Sequence, residues 1–315
     1  MKHAVLFIDS VHQALSDQLE KNGFDCIDGT SWDLEKIYDQ LPHFYGIVIR
    51  SRFKINKEFL KRPHQLKFIA RAGSGMENID VEFATSQNIT CINAPEANKD
   101  AVAEQAIGML LMLMNKLAIA DKEVRTGMWK RGENRGWELN GSTVSIIGFG
   151  NNGSAFAKKL SGFDVSIQTY DPFVTVNSKL FPYVNQVDMQ TIFDKTDIIS
   201  FHVPLNKDTD YMVNENYLSS FKKNIWLINT ARGKILKTEA LVKGLESGKV
   251  RGAALDVLEY ESTSFEQLDA SQLPESFKYL IRSDKTVLSP HIAGWTHESH
   301  RKISVVLAEK ILKLV

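Results

Sequence analysis

The 315-residue sequence contains only two cysteines, Cys26 and Cys91. Neither lies in a C-x-x-C pair or beside a histidine cluster, so no metal site, redox motif or disulfide framework is expected. Two partly buried thiols in a reducing cytoplasm fit the pattern better. Surplus charge is missing too, with 38 Lys and Arg set against 38 Asp and Glu. Partners that need a basic excess, nucleic acid and anionic membrane surfaces, are therefore not expected. Long hydrophobic runs are also lacking. The opening MKHAVLFIDS carries one short apolar run before Asp9, and the longest later run, 109–114, falls far short of the roughly 20 residues that span a bilayer, so neither export nor membrane insertion is expected. Repeats and low-complexity segments are not visible, and the length allows two ordinary globular domains.

The stretch 142–171 organises the rest. Thr143, Val144, Ser145, Ile146 and Ile147 read as a strand that runs into Gly148-Phe149-Gly150-Asn151-Asn152-Gly153, a G-x-G-x-x-G pattern. A helical segment follows at 154–160, then a second β-branched run at 165–170 that ends on Asp171, 23 positions after Gly148. Gly148 permits a tight turn, Gly150 lets a pyrophosphate approach the backbone, and Gly153 lets the helix pack on its strand; the helix N-terminus supplies N–H groups for the phosphates. Asp171 suits the adenosine ribose, and no arginine follows it, which favours NAD over NADP. A bare glycine trio would also fit a flexible loop; the flanking strand, helix and acid argue for a dinucleotide.

Before this unit, residues 1–98 alternate short apolar runs (4–8, 46–49, 67–70 and 89–93) with helical segments, as a small α/β domain would. Two loops after these runs, Ile49-Arg50-Ser51-Arg52 and Arg71-Ala72-Gly73-Ser74-Gly75, place bare backbone N–H groups beside guanidinium groups. Such loops suit a carboxylate or phosphate, and the alternative is a tight turn with solvated arginines. Residues 101–116 read as a strongly apolar helix for a core or a subunit interface. Residues 126–137 form a Gly-rich charged arm with Trp129 and Trp137, as expected of a surface that docks on a second subunit.

After it, runs at 197–203, 224–229 and 252–257 extend a doubly wound parallel sheet, and residues just past each strand are the candidates for chemistry. They are His202-Val203-Pro204, Asn229-Thr230-Ala231-Arg232-Gly233, Asp256 with Glu261, and Ser289-Pro290-His291-Ile292-Ala293-Gly294. Hydride exchange between a 2-hydroxy acid and NAD needs a cation for the carboxylate and carbonyl, a base for the hydroxyl proton, and a group to hold that base. Arg232, His291 and Glu261 fit those tasks. Singly, each has a plainer account as a salt bridge, a turn residue or a surface charge. An amphipathic helix from Trp295 closes the sequence; His297 and His300 lie three apart on it without a third ligand nearby, so no metal is assigned.

Asn-Ala-Pro at 93, the glycine motif at 148, His-Val-Pro-Leu at 202, Asn-Thr-Ala-Arg-Gly at 229, Ala-Leu-Asp-Val with Glu261, and Ser-Pro-His-Ile-Ala-Gly at 289 together resemble the D-isomer-specific 2-hydroxyacid dehydrogenases over nearly the whole chain. Within that family the resemblance is to short-form D-3-phosphoglycerate dehydrogenases. It implies a Rossmann-type NAD domain over 99–289 and a smaller, discontinuous, flavodoxin-like α/β substrate domain over 1–98 and 290–315. Catalytic Arg232, Glu261 and His291 are implied, with a cofactor site of Gly148, Gly150, Asn151, Asn152, Gly153, Asp171, His202, Val203, Pro204, Thr230, Ala231, Asp256 and Gly294, Asp256 contacting the nicotinamide amide. A small anionic, phosphorylated 2-hydroxy or 2-keto acid would be held by Arg50, Ser51, Arg71, Gly73, Ser74 and Gly75. Arg131, on the arm, would reach it from the other subunit of a homodimer formed through 101–137.

Some positions depart from the family. Asn151-Asn152 replaces a basic or polar residue followed by an aliphatic one, Asp100-Ala101 replaces a hydroxyl-bearing helix start, and Ser262 follows Glu261 where proline is common. The sequence stops at Val315 without a regulatory domain, so no serine feedback by that route is expected. Reduction of hydroxypyruvate, glyoxylate or related keto acids is the second enzymatic reading, and a non-catalytic NAD(H)-sensing scaffold is a third.

Overall fold

The computed structural model describes residues 3–261 and 273–314, and among these the chain divides into two compact units. One comprises 3–98 with 295–314; the other comprises 99–261 with 273–294.

The first unit alternates β1 (His3–Phe7), α1 (Ala14–Lys21), β2 (Phe24–Asp28), α2 (Leu34–Gln40), β3 (Gly46–Ile49), α3 (Lys57–Leu60), β4 (Phe68–Arg71), α4 (Val81–Ser86) and β5 (Thr90–Ile92). Its strands form a parallel sheet in the order β2-β1-β3-β4-β5. Alternate side chains feed two cores, as the two-residue period of a strand requires. Val5, Phe7, Val48, Phe68 and Ala70 meet Leu15 and Leu19 of α1 and Ile303, Leu307 and Ile311 of the C-terminal helix, His297–Leu312. Leu6, Ile8, Ile47, Ile49 and Ile69 meet Ile37, Phe59, Leu60 and Ala84 on the other face. Asp33, Asn56 and Asp80 cap α2, α3 and α4 with side-chain oxygens.

β2 does not stand out in the sequence. Its residues, Phe-Asp-Cys-Ile-Asp, lie at an edge where only Phe24 is buried, so the β-branched density that marks the inner strands is not needed there.

The second unit opens with α5 (Lys99–Met114) and α6 (Leu117–Arg125), bent by 62° where Lys116 adopts φ 54°. It continues through β6 (Thr143–Ile147), α7 (Asn151–Leu160), β7 (Ser166–Tyr170), β8 (Val184–Gln186), α8 (Met189–Lys195), β9 (Ile198–Phe201), α9 (Glu215–Ser219), β10 (Ile225–Asn229), α10 (Thr238–Ser247), β11 (Val250–Leu255), α11 (Glu275–Arg282) and β12 (Thr286–Leu288). All these strands are parallel, in the order β12-β11-β10-β9-β6-β7-β8. The order reverses between β6 and β9, so the segments after these two strands border the crevice where open sheets bind ligands.

α5 buries Ala103, Ala106, Met109, Leu110 and Leu113 with Phe156 and Leu160 of α7, which accounts for its apolar character by core packing. Among the described residues no single helix is long and apolar enough to cross a membrane. The boundary near the C-terminus falls after Gly294 and not at residue 290 as read from the sequence, because Asp256 holds Ile292 and Ala293 to the second unit by hydrogen bonds.

Candidate active site

The glycine loop leaves β6 through Gly148, whose φ of +90° suits glycine and whose Cβ, if present, would lie 2.7 Å from the His202 carbonyl oxygen. A Cβ on Gly153 would overlap the Gly148 carbonyl, so α7 packs on the turn only because residue 153 has no side chain. α8 and α9 are capped by Asp188 and Asn214, but α7 begins at Gly150 without a side-chain cap and with open space beside it. Its first-turn N–H groups are thus left for a ligand. Asp171 ties this loop to the end of β7. Its Oδ2 accepts from Phe149 N–H at 2.7 Å, and its Oδ1 accepts from Phe173 and Val174 N–H at 2.8 and 3.0 Å. A carboxylate offers about four lone-pair sites, so acceptor capacity remains for a ribose hydroxyl.

Val203 packs against Gly148. The His202 ring lies 5.1 Å from Phe156, pairs Nε2 with Ser200 Oγ at 2.8 Å, and is pushed down to about 3 by burial, so it lines the crevice as a neutral ring. Asn152 Oδ1 and Thr230 Oγ1 are shut from solvent without a hydrogen-bond partner. Asn152 lies in the first turn of the uncapped helix and Thr230 directly after β10, and an orphaned polar atom at such a helix start fits a dinucleotide that completes its hydrogen bonding. Asn151 is exposed, while Ala231 is buried and donates its N–H to Asn229 Oδ1.

The candidate catalytic residues come from three neighbouring strand ends of the same unit. Asn229, the last residue of β10, also donates from Nδ2 to the Arg232 carbonyl at 3.0 Å and so shapes the Arg232 loop, in which Nη1 of Arg232 donates to the Ala231 carbonyl at 2.6 Å. A Cβ on Gly233 would overlap the Leu258 carbonyl; glycine there allows the Arg232 loop to touch the loop that carries Glu261. Oε1 of Glu261 accepts the Leu258 N–H, and Oε2 pairs with His291 Nδ1 at 2.7 Å. The two side chains are 14% and 23% exposed, enough burial to strengthen the pair while leaving the ring reachable.

His291 stands in the left-handed region, at φ 55°, which few non-glycine residues adopt. Asp256, 1% exposed, holds it there. The Asp256 carbonyl accepts the His291 N–H at 2.7 Å, Oδ1 accepts from Ser289 Oγ and Ile292 N–H, and Oδ2 accepts from Ala293 N–H. Gly294 follows directly. Asp256 thus anchors the His291 loop, a task that the sequence did not reveal. Ser262, noted for replacing proline, lies outside the described residues.

In the first unit, the N–H groups of Arg50 and Ser51 are not bare. Asp9 Oδ2 accepts from Arg50, Ser51 and Arg52 N–H at 2.6, 3.0 and 3.2 Å. The Arg52 guanidinium is turned away from this nest and donates to the carbonyls of Thr30 and Trp32 at 2.6 and 2.7 Å. An intramolecular carboxylate therefore fills the nest expected for a ligand, and the Arg50 guanidinium lies 4.6 Å from the Trp295 ring centre. Asp9 lies just past β1, a position of the same kind as the other candidate residues past strand ends. In the second loop the Arg71 guanidinium lies over Gly73, where a Cβ would collide with it. Asn93 Nδ2 donates to the Ser74 carbonyl, and Ser74 Oγ donates to Asn98 Oδ1 at 2.7 Å, fixing the turn that leads into Gly75. Arg131 is exposed on the arm and takes no part in the hydrogen bonds that join Glu261 to His291.

Residues 107–293 match the family described as D-isomer specific 2-hydroxyacid dehydrogenase, NAD binding domain. D-3-phosphoglycerate dehydrogenase of Archaeoglobus fulgidus is 33% identical over 310 residues, covering 98% of this chain and 57% of that protein. The chain therefore spans little more than half the length of that relative. Hydroxypyruvate reductase of Thermotoga maritima is 36% identical over 286 residues, 90% of each chain. The D-lactate dehydrogenase of Aquifex aeolicus, solved with NAD and lactic acid, superposes with a TM-score of 0.83 at 26% identity, over 99% of this chain and 95% of its own.

Proposed function

The chain belongs to the D-isomer specific 2-hydroxyacid dehydrogenases, an NAD-binding family, and on that premise we propose that it interconverts a D-2-hydroxy acid and its 2-keto acid. Bound at the glycine loop, NAD supplies the hydride acceptor. Gly148, Gly150 and Gly153 shape that loop, first-turn N–H groups of α7 take the pyrophosphate, and Asp171 takes the ribose and disfavours a 2′-phosphate. Arg232 binds the substrate carboxylate and polarises the carbonyl. His291 takes the hydroxyl proton in oxidation and returns it in reduction.

The observation that carries this reading is the 2.7 Å contact of Glu261 with His291 Nδ1, with Glu261 itself held by the Leu258 N–H. With Nδ1 held by Glu261, Nε2 is the nitrogen given the proton exchange with the substrate. Asp256 keeps the ring in place from the backbone side.

We assign D-3-phosphoglycerate as the substrate, oxidised to 3-phosphohydroxypyruvate at the entry to serine synthesis. The support is the guanidinium groups of Arg50 and Arg71 on shaped loops, with Arg131 brought by a second subunit. Trp129, 77% exposed, and Trp137, 55% exposed, support a homodimer through 101–137. The free thiols of Cys26 and Cys91 agree with a cytoplasmic protein. Hydroxypyruvate or glyoxylate reduction is the second reading, favoured by the relative that matches over 90% of its own length. NADH oxidation with 3-phosphohydroxypyruvate, hydroxypyruvate and glyoxylate side by side tests the choice: preference for the phosphorylated acid is expected, and equal or faster turnover of the smaller acids moves the function to general 2-keto acid reduction. Tight NADH binding without turnover of any of them would point to a sensing scaffold.

A further inference from the structure

The loop that carries Glu261 is closed on itself before it meets anything else. The Glu261 N–H donates to the Leu258 carbonyl at 3.2 Å and Glu261 Oε1 accepts the Leu258 N–H, which leaves Glu259 and Tyr260 as the central residues of a tight turn. Such a turn fixes its own shape but not its direction. Tyr260 fastens it on one side, its ring meeting Phe277 of α11 edge to face at 5.7 Å and its hydroxyl lying 3.4 Å from Ser276 Oγ. Glu259 fastens it on the other, where Oε2 accepts the Thr238 N–H at 2.8 Å. Thr238 is buried and opens α10, whose cap residue, Lys237, supplies no side-chain hydrogen bond. A buried N–H at a helix start needs an acceptor, and a carboxylate there also suits the positive end of the helix dipole. The carboxylate that meets this need comes from 21 positions along the chain, on the turn that ends in Glu261.

The segment that Glu259 grips is the continuation of the Arg232 loop. Gly233–Ile235 forms a 3-10 helix directly after Arg232, and Gly233 lies against the Leu258 carbonyl. The chain past β9 runs alongside: Tyr211 and Val213 donate their N–H groups to the carbonyls of Lys234 and Ile235 at 2.7 and 2.9 Å, and the Val213 carbonyl accepts the Lys237 N–H at 3.0 Å. Tyr211 stands at φ 49°, a region that a bulky residue occupies only where its surroundings hold it. Its phenol is pushed up to about 12, by burial first and then by the Glu259 carboxylate, so it keeps its proton and can donate to that carboxylate. The segments past β9, β10 and β11 thus converge on one side chain, all within the second unit.

We propose that Glu259 is a positioning residue, which fixes the Leu258–Glu261 turn against the Arg232 loop and so sets where Glu261, and through it the His291 ring, stands relative to the Arg232 guanidinium. The proposal rests on the 2-hydroxyacid dehydrogenase reading and adds to it a residue that acts through Glu261 and not on the substrate. It is tested by NADH oxidation with whichever of 3-phosphohydroxypyruvate, hydroxypyruvate and glyoxylate wild type turns over fastest, using Glu259→Ala, Glu259→Gln, Glu261→Gln and the double variant of Glu259→Ala with Glu261→Gln. Misplacement of a reacting group by about 1 Å costs up to about 10²-fold, so Glu259→Ala should lower kcat about tenfold or more, with KM and NADH affinity within about threefold. Glu259→Gln keeps an acceptor for the Thr238 N–H and should restore kcat to within about threefold of wild type. With the contact to His291 already broken in Glu261→Gln, adding Glu259→Ala should cost less than about threefold more. A role confined to capping α10 would lower the melting temperature and leave kcat per folded chain unchanged; that result, or full multiplication of the two losses in the double variant, overturns the proposal. NADH binding by fluorescence identifies a Glu259→Ala chain that fails to fold, and Glu259→Asp, one methylene shorter, then replaces it. If wild type turns over none of the acids, the enzymatic reading fails instead. The His291 ring is then followed by its NMR signals in histidine-labelled protein, assigned with His291→Gln: a change in Glu259→Ala like that in Glu261→Gln supports the proposal, and unmoved signals overturn it.

Discussion

Replacing Glu261 by glutamine changes one atom and removes one charge, and the surroundings allow no arrangement that preserves both existing hydrogen bonds. Oε1 accepts the Leu258 N–H and Oε2 faces His291 Nδ1. If the glutamine oxygen stays on Leu258, its NH2 faces Nδ1, which must then accept, and the proton moves to Nε2, where the substrate proton has to go. If the amide flips, its NH2 opposes the Leu258 N–H. A hydrogen bond to a charged group is worth about 1.5–3 kcal/mol, and each 1.36 kcal/mol is tenfold in rate, so kcat should fall about 10- to 150-fold from this loss alone. The misplaced proton adds to the loss. The glycine loop is untouched, so NADH affinity should stay within about twofold. Steady-state kinetics in the oxidising direction and a fluorescence titration with NADH measure both. A kcat within about threefold of wild type, with NADH affinity intact, would refute the role given to the Glu261–His291 contact.

Gly153→Ala places a Cβ on the Gly148 carbonyl, so α7 must move; overpacking predicts about 1–3 kcal/mol of lost stability and weaker NADH binding, and unchanged affinity in a titration would contradict the packing argument. Asp171→Ala removes the acceptor of three loop N–H groups and the charge opposed to a 2′-phosphate, so the ratio of NADH to NADPH affinity should fall; an unchanged ratio counts against the ribose role. His202 lies at about 3 in the folded chain against an ordinary 6.5, so the unfolded chain binds the extra proton between those values. Stability should therefore fall as pH drops from 6.5 towards 3, by at most about 1.4 kcal/mol per pH unit, and less to the extent that the residue meets solvent. Urea unfolding across this range should show a shallower slope for His202→Gln, and identical slopes would show that the ring protonates in place.

The parts of the fold and site that the sequence revealed are those whose cause is local. Gly153 is required by its contact with the Gly148 carbonyl within one strand, turn and helix, and Gly148 by its positive φ in that turn, so their spacing carries the information by itself. Arg232, Glu261 and His291 were legible as polar residues past apolar runs, and the structure brings the Glu261 and His291 loops together. What escaped notice depends on distant partners. Asp9 fills the nest at Arg50–Arg52 from 41 positions away, and the sequence makes those N–H groups look bare. Asp256 supports His291 through Ser289, Ile292 and Ala293, a relation that exists only once β11 and the following loops are in place. The edge strands β2, β8 and β12 leave only a weak pattern in the sequence, because an edge needs little burial and few residues. α7 starts at Asn151, three residues before the helical pattern legible in the sequence, since asparagine is a poor interior helix former but is tolerated in a first turn that binds through its backbone.

The most direct test of the account is NAD reduction by the purified chain with the D and L isomers of 3-phosphoglycerate, run beside His291→Ala. NADH formation with the D isomer alone, abolished in the variant while NADH still binds, is the predicted result. Turnover of the L isomer at a similar rate, or activity that survives loss of His291, would contradict it.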